Sequence, residues 1–193
     1  MAKVIGITGG IGSGKSTLLS YIETLGYPVY IADVEAKKLM DQEEIISKIQ
    51  FLFNEVVLTE DNLLDRQKLA KIVFNDSKKL EKLNALIHPL VKKHFQDWVE
   101  AHADKSLVFK ETAILFETGS YKECDYSILI TAPLDIRIER VMKRDKIDRQ
   151  TVLERVNKQW PDDEKAKLAD FIVENVDLKL AKNEILDVIN RIK

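Results

Sequence analysis

Short apolar runs alternate along this chain with longer stretches in which apolar residues recur every three or four positions. The first run, Val4 to Thr8, ends in a loop that holds four of the chain's seven glycines, and a helical pattern follows from Lys15 to Leu25. Further short runs predict four more strands, at residues 28–33, 107–115, 126–131 and 171–173. Helical periodicity fills most of the intervals and the stretch after residue 178.

Strands that alternate with helices in this way predict an α/β fold. Its strands should form a parallel sheet of about five strands flanked by helices. The longest helical stretch, residues 34–103, follows the second strand directly. Because open α/β sheets bind ligands at the carboxyl ends of their strands, we interpret this stretch as an insertion on the ligand side of the sheet.

The glycine-rich loop has the spacing of a phosphate-binding loop. Residues 9–16 read Gly-Gly-Ile-Gly-Ser-Gly-Lys-Ser, which fits G-x-x-x-x-G-K-[ST] between a strand and a helix. Glycines let successive backbone N–H groups point at a phosphate, and the helix N-terminus adds its positive dipole end. Lys15 is placed to neutralise the β- and γ-phosphate oxygens, and the Ser16 hydroxyl to hold Mg²⁺.

Two other interpretations of this loop fit the sequence less well. A dinucleotide-binding fold needs a third glycine where Lys15 stands. A glycine turn with a chance lysine does not require the strand and helix on either side. The motif therefore predicts a nucleotide-phosphate site, but it does not distinguish kinases from ATPases, GTPases or regulatory switches, because the loop holds only the phosphate donor.

A single carboxylate ends the second predicted strand. Asp33 should lie at the same sheet edge as the loop, where it can orient or deprotonate an acceptor hydroxyl. The competing interpretation is an N-cap for a helix that starts near Val34, since Asp is a frequent N-cap residue. The residues alone leave both interpretations open.

Three arginines share one face of the helix after the fourth predicted strand. Arg137, Arg140 and Arg144 are spaced i, i+3 and i+7. Arginines on a closing segment stabilise the dispersed charge of phosphoryl transfer while excluding water, so we predict a lid role for Arg140 and Arg144. A solvated face paired with Glu139 and Asp145 is the alternative.

Composition narrows the function classes. The chain has 30 Lys and Arg against 32 Asp and Glu, a formal charge of −2, which disfavours a nucleic-acid binder. One cysteine, Cys124, and three scattered histidines offer no disulfide and no zinc-like cluster, so a cytoplasmic location is expected. No segment reaches the roughly 18 apolar residues of a membrane span, and the N-terminus lacks a signal-peptide pattern. We therefore expect neither nucleic acid nor membrane as a partner.

Several motifs, taken in order, resemble those of the dephospho-coenzyme A kinase family. They are Thr8 to Ser16 (Thr-Gly-Gly-Ile-Gly-Ser-Gly-Lys-Ser), Ala32-Asp33, Ile87-His88-Pro89, Ile114-Leu115-Phe116-Glu117, Arg140, Arg144, Gln159, Ala169-Asp170 and Asn175. The phosphate loop occurs in many families, and the specificity lies in the ordered combination. The resemblance implies a fold like that of nucleoside monophosphate kinases and the transfer of phosphate from ATP to the ribose 3′-hydroxyl of dephospho-coenzyme A, with Mg²⁺.

The resemblance also implies roles for individual residues. Those implied to bind ATP are Gly10, Ile11, Gly12, Ser13, Gly14, Lys15, Ser16, Thr17, Arg140 and Arg144. Those implied to bind the acceptor are Asp33, Arg66, His88 and Glu117. Asp33 would be the base, Lys15 and Arg140 would act in catalysis, and Ser16 would bind the metal. From the residues alone His88 is more simply a structural histidine, predicted at a helix start because it precedes Pro89.

The implied organisation is one kinase domain over residues 1–193. Its parts are a core at about 1–33, 104–135 and 168–193, a coenzyme A subdomain at about 34–103 and a lid at about 136–167. Two departures from the family pattern stand out, since Ile31 replaces the first carboxylate of Asp-Ala-Asp and Ala113 replaces a proline. Another nucleoside or nucleotide kinase, or a nucleotide-dependent regulatory switch, remains open as the function.

Overall fold

The protein was studied as a computed structural model, which describes residues 2–53, 55–74 and 76–193, with only the backbone of Phe74. Five strands form one sheet: β1 Lys3–Thr8, β2 Val29–Ile31, β3 Leu107–Glu111, β4 Tyr126–Thr131 and β5 Phe171–Glu174. The sheet is parallel throughout, with the order β2-β3-β1-β4-β5. The predicted α/β class and parallel sheet are confirmed.

The helices occupy the intervals between the strands. They are α1 Lys15–Thr24, α2 Ala32–Met40, α3 Glu43–Phe53, α4 Arg66–Phe74, α5 Ser77–Ala101, α6 Leu134–Asp145, α7 Arg149–Val156, α8 Asp162–Ala166 and α9 Leu178–Ile192. One face of the sheet is covered by α1 and α9, whose buried aliphatic side chains pack on alternate residues of the strands. This packing holds the start of α1, and with it the end of the glycine loop, against the sheet.

The chain divides into two compact units. The first comprises the chain up to Ile31 together with Val99–Lys193, and it contains the sheet. The second is Ala32–Trp98, a helical unit with its own apolar core, which includes Ile49, Leu69 and Ile87. The predicted core, subdomain and lid boundaries remain predictions. None of the helices in the described ranges is both long enough and apolar enough to cross a membrane.

Two local predictions near the second unit are wrong in detail. The second strand ends at Ile31, and α2 begins at Ala32, so Asp33 lies in the first turn of a helix instead of on a strand or at an N-cap. His88 does not start a helix, because Pro89 lies inside α5. Proline cannot donate to the carbonyl of Ala85, but buried residues on both sides, Leu83 and Phe95 among them, keep the helix continuous.

Candidate active site

The glycine loop leads from β1 directly into α1. Gly14 is the residue before the first helical position, and its backbone is left-handed, with φ 88°. Gly12 is also left-handed, with φ 81°. The chain therefore turns sharply twice before Lys15, and glycine is the residue that accepts such φ values without strain. The N–H groups of Thr17 and Leu18 donate to the carbonyl of Gly14, and the start of α1 presents the positive end of the helix dipole to the loop, where it favours an anion.

Gly14 is required by a close approach as well as by its φ. A Cβ at Gly14 would lie 2.1 Å from Nδ2 of Asn175, which donates a 2.8 Å hydrogen bond to the carbonyl of Ser13. Asn175 is buried and directly follows β5. The loop is therefore held in place by a side chain that follows β5, two strands away from β1 in the sheet. Asn175 belongs to the family motifs, yet no local pattern of residues indicates this contact.

Replacing Gly14 with alanine should weaken ATP binding by about tenfold or more, because the added methyl displaces Asn175 and moves the loop. Gly26→Ala is the matched control, since Gly26 has φ +86° but no neighbouring atom within 4 Å of the place that a methyl carbon would take. We expect Gly26→Ala to lower the free energy of unfolding by about 1–2 kcal/mol and to leave ATP affinity intact. Thermal unfolding and ATP titration of both variants measure this; equal losses of affinity would contradict the steric explanation.

Lys15 lies over the loop beside a buried carboxylate. Its Nζ donates a 2.6 Å hydrogen bond to the carbonyl of Gly9 and lies 3.9 Å from Oε1 of Glu111. Glu111 is the last residue of β3, and the sheet register pairs it with Ile7 of β1, just before the loop. Sequence reasoning assigns no role to Glu111. An acidic residue at the end of the strand beside the loop strand was the available signal.

A cavity of about 450 Å³ opens at the loop. Its lining includes Gly12, Lys15, Ser16 and Thr17, and also Arg140 and Arg144 from α6, as well as Asn175. The structure thus brings both predicted lid arginines to the predicted ATP loop. Positive side chains and the N-terminus of α1 around one cavity form a site for an anionic ligand.

Arg140 is anchored by one nitrogen and leaves another for a ligand. Its Nη2 donates to the carbonyl of Val176 over 3.3 Å. Its Nη1 is buried and has no hydrogen-bond partner among the described residues. A buried cationic donor without a partner is costly, and an anionic group in the cavity would satisfy it.

Arg144 is held by its neighbour along the chain. Asp145 accepts hydrogen bonds from Nε and Nη2 of Arg144, at 2.7 and 3.0 Å, and from Nη1 of Arg155, at 2.9 Å. The hydrogen bonds from Arg144, and then those from Arg155, lower the pKa of the Asp145 carboxyl below its ordinary value. The hydrogen bonds that Arg144 donates to Asp145 in turn raise the pKa of Arg144. The carboxylate therefore stays ionised and orients two guanidinium groups.

Arg137 contacts the loop itself, whereas Arg140 and Arg144 line the cavity. It is buried, its Nε donates to the carbonyl of Ile11 over 3.0 Å, and its Nη1 pairs with Oδ2 of Asp162 at 2.7 Å. A Cβ on Gly10 would lie 2.2 Å from Nη2 of Arg137. This guanidinium therefore packs under the loop instead of facing the cavity.

The predicted acceptor residues fall in two places. Asp33, Arg66 and His88 belong to the helical unit. Asp33 is exposed, and its carboxylate has no hydrogen-bond or ion-pair partner among the described residues, whereas Arg66 pairs with Asp41 at 2.7 Å. His88 is also exposed.

Glu117, the fourth predicted acceptor residue, belongs to the unit that contains the sheet. Its Oε1 lies 3.1 Å from Nζ of the fully buried Lys165 and accepts a hydrogen bond of 3.2 Å from the backbone N–H of Trp160. The buried Lys165 ammonium group needs an ionic partner, because transferring a lone charge from water into the protein has a large free-energy cost. These contacts favour a structural role for Glu117 over the predicted contact with substrate.

The fit of the site to Mg²⁺ follows from its oxygen groups. The Ser16 hydroxyl is exposed in the cavity and has no hydrogen-bond partner among the described residues, and the Glu111 carboxylate lies close to the loop lysine. No cluster of three or more His, Cys, Asp or Glu side chains that could hold a metal occurs in the described ranges. Mg²⁺ commonly uses one or two protein oxygens with phosphates and waters, so this sparse set fits a metal that arrives with a nucleotide.

Comparisons with known proteins agree on one family. The family model described as dephospho-CoA kinase matches residues 3–179. The dephospho-CoA kinase of Fusobacterium nucleatum is 37% identical over 172 residues, which cover 89% of each chain. A crystal structure from Thermus thermophilus matches with a TM-score of 0.90 and 35% identity over 98% of this chain and 97% of that one. A dephospho-CoA kinase structure from Campylobacter jejuni matches with a TM-score of 0.75 and 28% identity over 100% and 98%.

Proposed function

The chain belongs to the dephospho-CoA kinase family, and from that membership we propose how its residues transfer a phosphoryl group from ATP to dephospho-CoA. The phosphate loop holds the donor, and the helical unit Ala32–Trp98 binds the acceptor. The observation that carries this proposal is the cavity in which Lys15, Arg140 and Arg144 surround the start of α1. Such a site neutralises a polyphosphate and orients its terminal group.

On the donor side, backbone N–H groups from Gly12 to Thr17 bind the phosphates. Lys15 then leaves the carbonyl of Gly9 and donates to the β- and γ-phosphate oxygens, where charge spreads as the phosphoryl group transfers. The unpartnered Nη1 of Arg140 donates to the same group of oxygens. Ile11 is left out of this set, because Gln159 and Arg137, from distant parts of the chain, hold its N–H and its carbonyl. The N–H groups of Ser13 and Thr17 donate to carbonyls of the loop itself, those of Gly10 and Gly14, and would turn to the phosphates when ATP binds.

The metal partner in this proposal is Mg²⁺. Ser16 and Glu111 would hold it, directly or through water, because the Ser16 hydroxyl lines the cavity and the Glu111 carboxylate lies 3.9 Å from the Lys15 ammonium. When bound with ATP, Mg²⁺ would offset part of the negative charge of the phosphates. The Lys15 ammonium beside Glu111 limits the repulsion between that carboxylate and the phosphates.

On the acceptor side, we assign the base to Asp33. Its exposed carboxylate is not committed to any described residue, so it is available to accept the proton of the ribose 3′-hydroxyl as the hydroxyl oxygen attacks the γ-phosphorus. The bond from that phosphorus to the bridging oxygen breaks, and ADP leaves. Arg66 and His88 are assigned to the acceptor's binding within the helical unit.

A substrate panel tests the acceptor assignment. Purified protein receives Mg²⁺-ATP and dephospho-CoA, with adenosine, AMP and pantetheine as competing acceptors, while ADP release is followed and the product is identified by mass spectrometry. We expect ADP release to require dephospho-CoA and the product to be coenzyme A. The proposal fails if ATP binds but a different acceptor is phosphorylated, or if ATP is hydrolysed slowly with no acceptor at all.

A further inference from the structure

The segment that joins α7 to α8 is hydrogen-bonded to the phosphate loop. This segment, residues 157–161, carries Gln159, and Asp162 begins α8 directly after it. Oε1 of Gln159 accepts a 2.9 Å hydrogen bond from the backbone N–H of Ile11, across 148 positions of sequence. Ile11 is the third residue of the eight-residue phosphate-loop motif.

Ile11 is held at three points by the same region of the chain. Its N–H is taken by Gln159, and its carbonyl accepts from Nε of Arg137, whose Nη1 pairs with Asp162. Its side chain packs against the apolar cluster that α6 and α7 form around Val141. The N–H and the carbonyl of Ile11 are thus bonded to residues 137–162, and its half-buried side chain packs partly on them.

The residue after Gln159 also bonds to a distant part of the chain. The next residue, Trp160, donates its backbone N–H to Glu117, and Glu117 also pairs with the buried Lys165 of α8. Consecutive residues 159 and 160 therefore join the phosphate loop to the turn that follows β3. Glu111, beside Lys15, lies at the start of that turn.

We propose that Gln159 is a positioning residue for phosphoryl transfer, which acts through the N–H of Ile11 to hold the phosphate loop in its ATP-binding shape. A glycine-rich loop has many accessible backbone conformations, and binding ATP to a disordered loop incurs the entropy of ordering it. The Gln159 and Arg137 bonds supply that order before ATP arrives, so their loss lowers the fraction of loops competent to bind.

The bond between Gln159 and Ile11 links the phosphate loop to the predicted lid. The segment 136–167 carries Arg144 and Arg155, and its last part is bonded to Ile11. A lid movement that shifts residue 159 therefore moves the loop or breaks its bond to Ile11. ATP affinity and the position of this segment are therefore coupled through the contacts that Gln159 and Arg137 make with Ile11. The inference rests on the proposed function only for the identity of the nucleotide.

The test compares Gln159→Met with Gln150→Met in the full-length protein. Methionine keeps the length of glutamine but has no oxygen acceptor. Gln150 is an exposed residue of α7 for which no side-chain bond is described, so it is the matched control. We expect Gln159→Met to raise the Kd for ATP about tenfold, the effect of one good hydrogen bond, and to speed amide hydrogen exchange at Ile11 by a similar factor. Melting temperature and the KM for dephospho-CoA should match those of Gln150→Met.

Gln159→Glu separates the proposed role from a direct contact with ATP. Its carboxylate retains an oxygen that accepts from the Ile11 N–H, so Ile11 should stay protected from exchange. Unchanged exchange at Ile11 in Gln159→Met would overturn the proposal, as would a parallel loss of melting temperature and of affinity for both substrates. Because Kd and exchange are measured without turnover, failure of the acceptor assignment would leave this test intact.

Asp162→Asn tests the other polar contact of Ile11, the bond between its carbonyl and Arg137. The change removes the charge that orients Arg137 toward the Ile11 carbonyl. If both bonds act through Ile11, the double variant should raise the Kd for ATP by clearly less than the product of the two single effects. Independent, multiplicative effects would show that Gln159 and Arg137 do not share this target.

Discussion

The Lys15→Ala variant should lose turnover by about a hundredfold to a thousandfold or more, the loss typical of removing one donor from a developing oxyanion. In the proposed mechanism the Lys15 ammonium donates to the β- and γ-phosphate oxygens, where negative charge develops as the phosphoryl group transfers. Alanine removes the ammonium charge, and no other lysine lines the cavity in the part of the chain that the structure describes. Initial rates at saturating ATP and dephospho-CoA measure the effect as kcat.

Lys167→Ala is the control for this prediction. Lys167 belongs to the same unit, and its exposed ammonium pairs only with Glu164 on the surface. Its removal should leave kcat unchanged, since exposed ion pairs contribute little. Melting curves of both variants exclude unfolding as the cause. Near-normal turnover of a folded Lys15→Ala protein would remove Lys15 from the mechanism.

The second large effect is expected from Asp33→Asn. The amide is nearly isosteric with the carboxylate but cannot accept a proton, so kcat should fall by about a hundredfold to ten-thousandfold, while the Kd for ATP changes little. Rates and ATP titration on one preparation give both quantities.

Glu35→Gln is the matched control for Asp33, because it makes the same chemical change two residues later in α2. Glu35 pairs with Lys38 at 2.7 Å, so its replacement should cost only a surface ion pair. If Asp33→Asn weakened ATP binding as much as it lowered kcat, Asp33 would be a structural residue of the first turn of α2 and the base would have to be sought elsewhere.

The features that the sequence predicted well are encoded locally. The phosphate loop is a contiguous motif, and its meaning follows from glycines, a lysine and a serine at fixed spacing between a strand and a helix. The strand at Tyr126–Thr131 was predicted with its observed bounds, and a last helix was predicted over the stretch that α9 occupies, because apolar runs and periodicity are properties of neighbouring residues. The resemblance to the dephospho-coenzyme A kinase family then predicted the reaction.

The features that were missed depend on contacts between distant residues. Gln159 and Ile11 are 148 positions apart, and Arg137 and Ile11 are 126 apart, so no local pattern encodes either bond. Arg137 shares spacing with Arg140 and Arg144, yet tertiary packing buries it under the loop. The prediction that His88 lies at a helix start was wrong, because Pro89 is inside α5. The burial of α5 outweighs the free-energy cost of the one hydrogen bond that Pro89 cannot make.

The sheet order has a consequence for how the chain acquires its structure during synthesis. The central strand, β1, is made first, but its partners β3 and β4 begin about a hundred residues later, at Leu107 and Tyr126. Ala32–Trp98, in contrast, is continuous in sequence, and contacts between near neighbours form quickly. We therefore expect the nascent chain to gain helical structure before its nucleotide loop takes shape, so that a ribosome-bound fragment ending before β4 would not retain ATP.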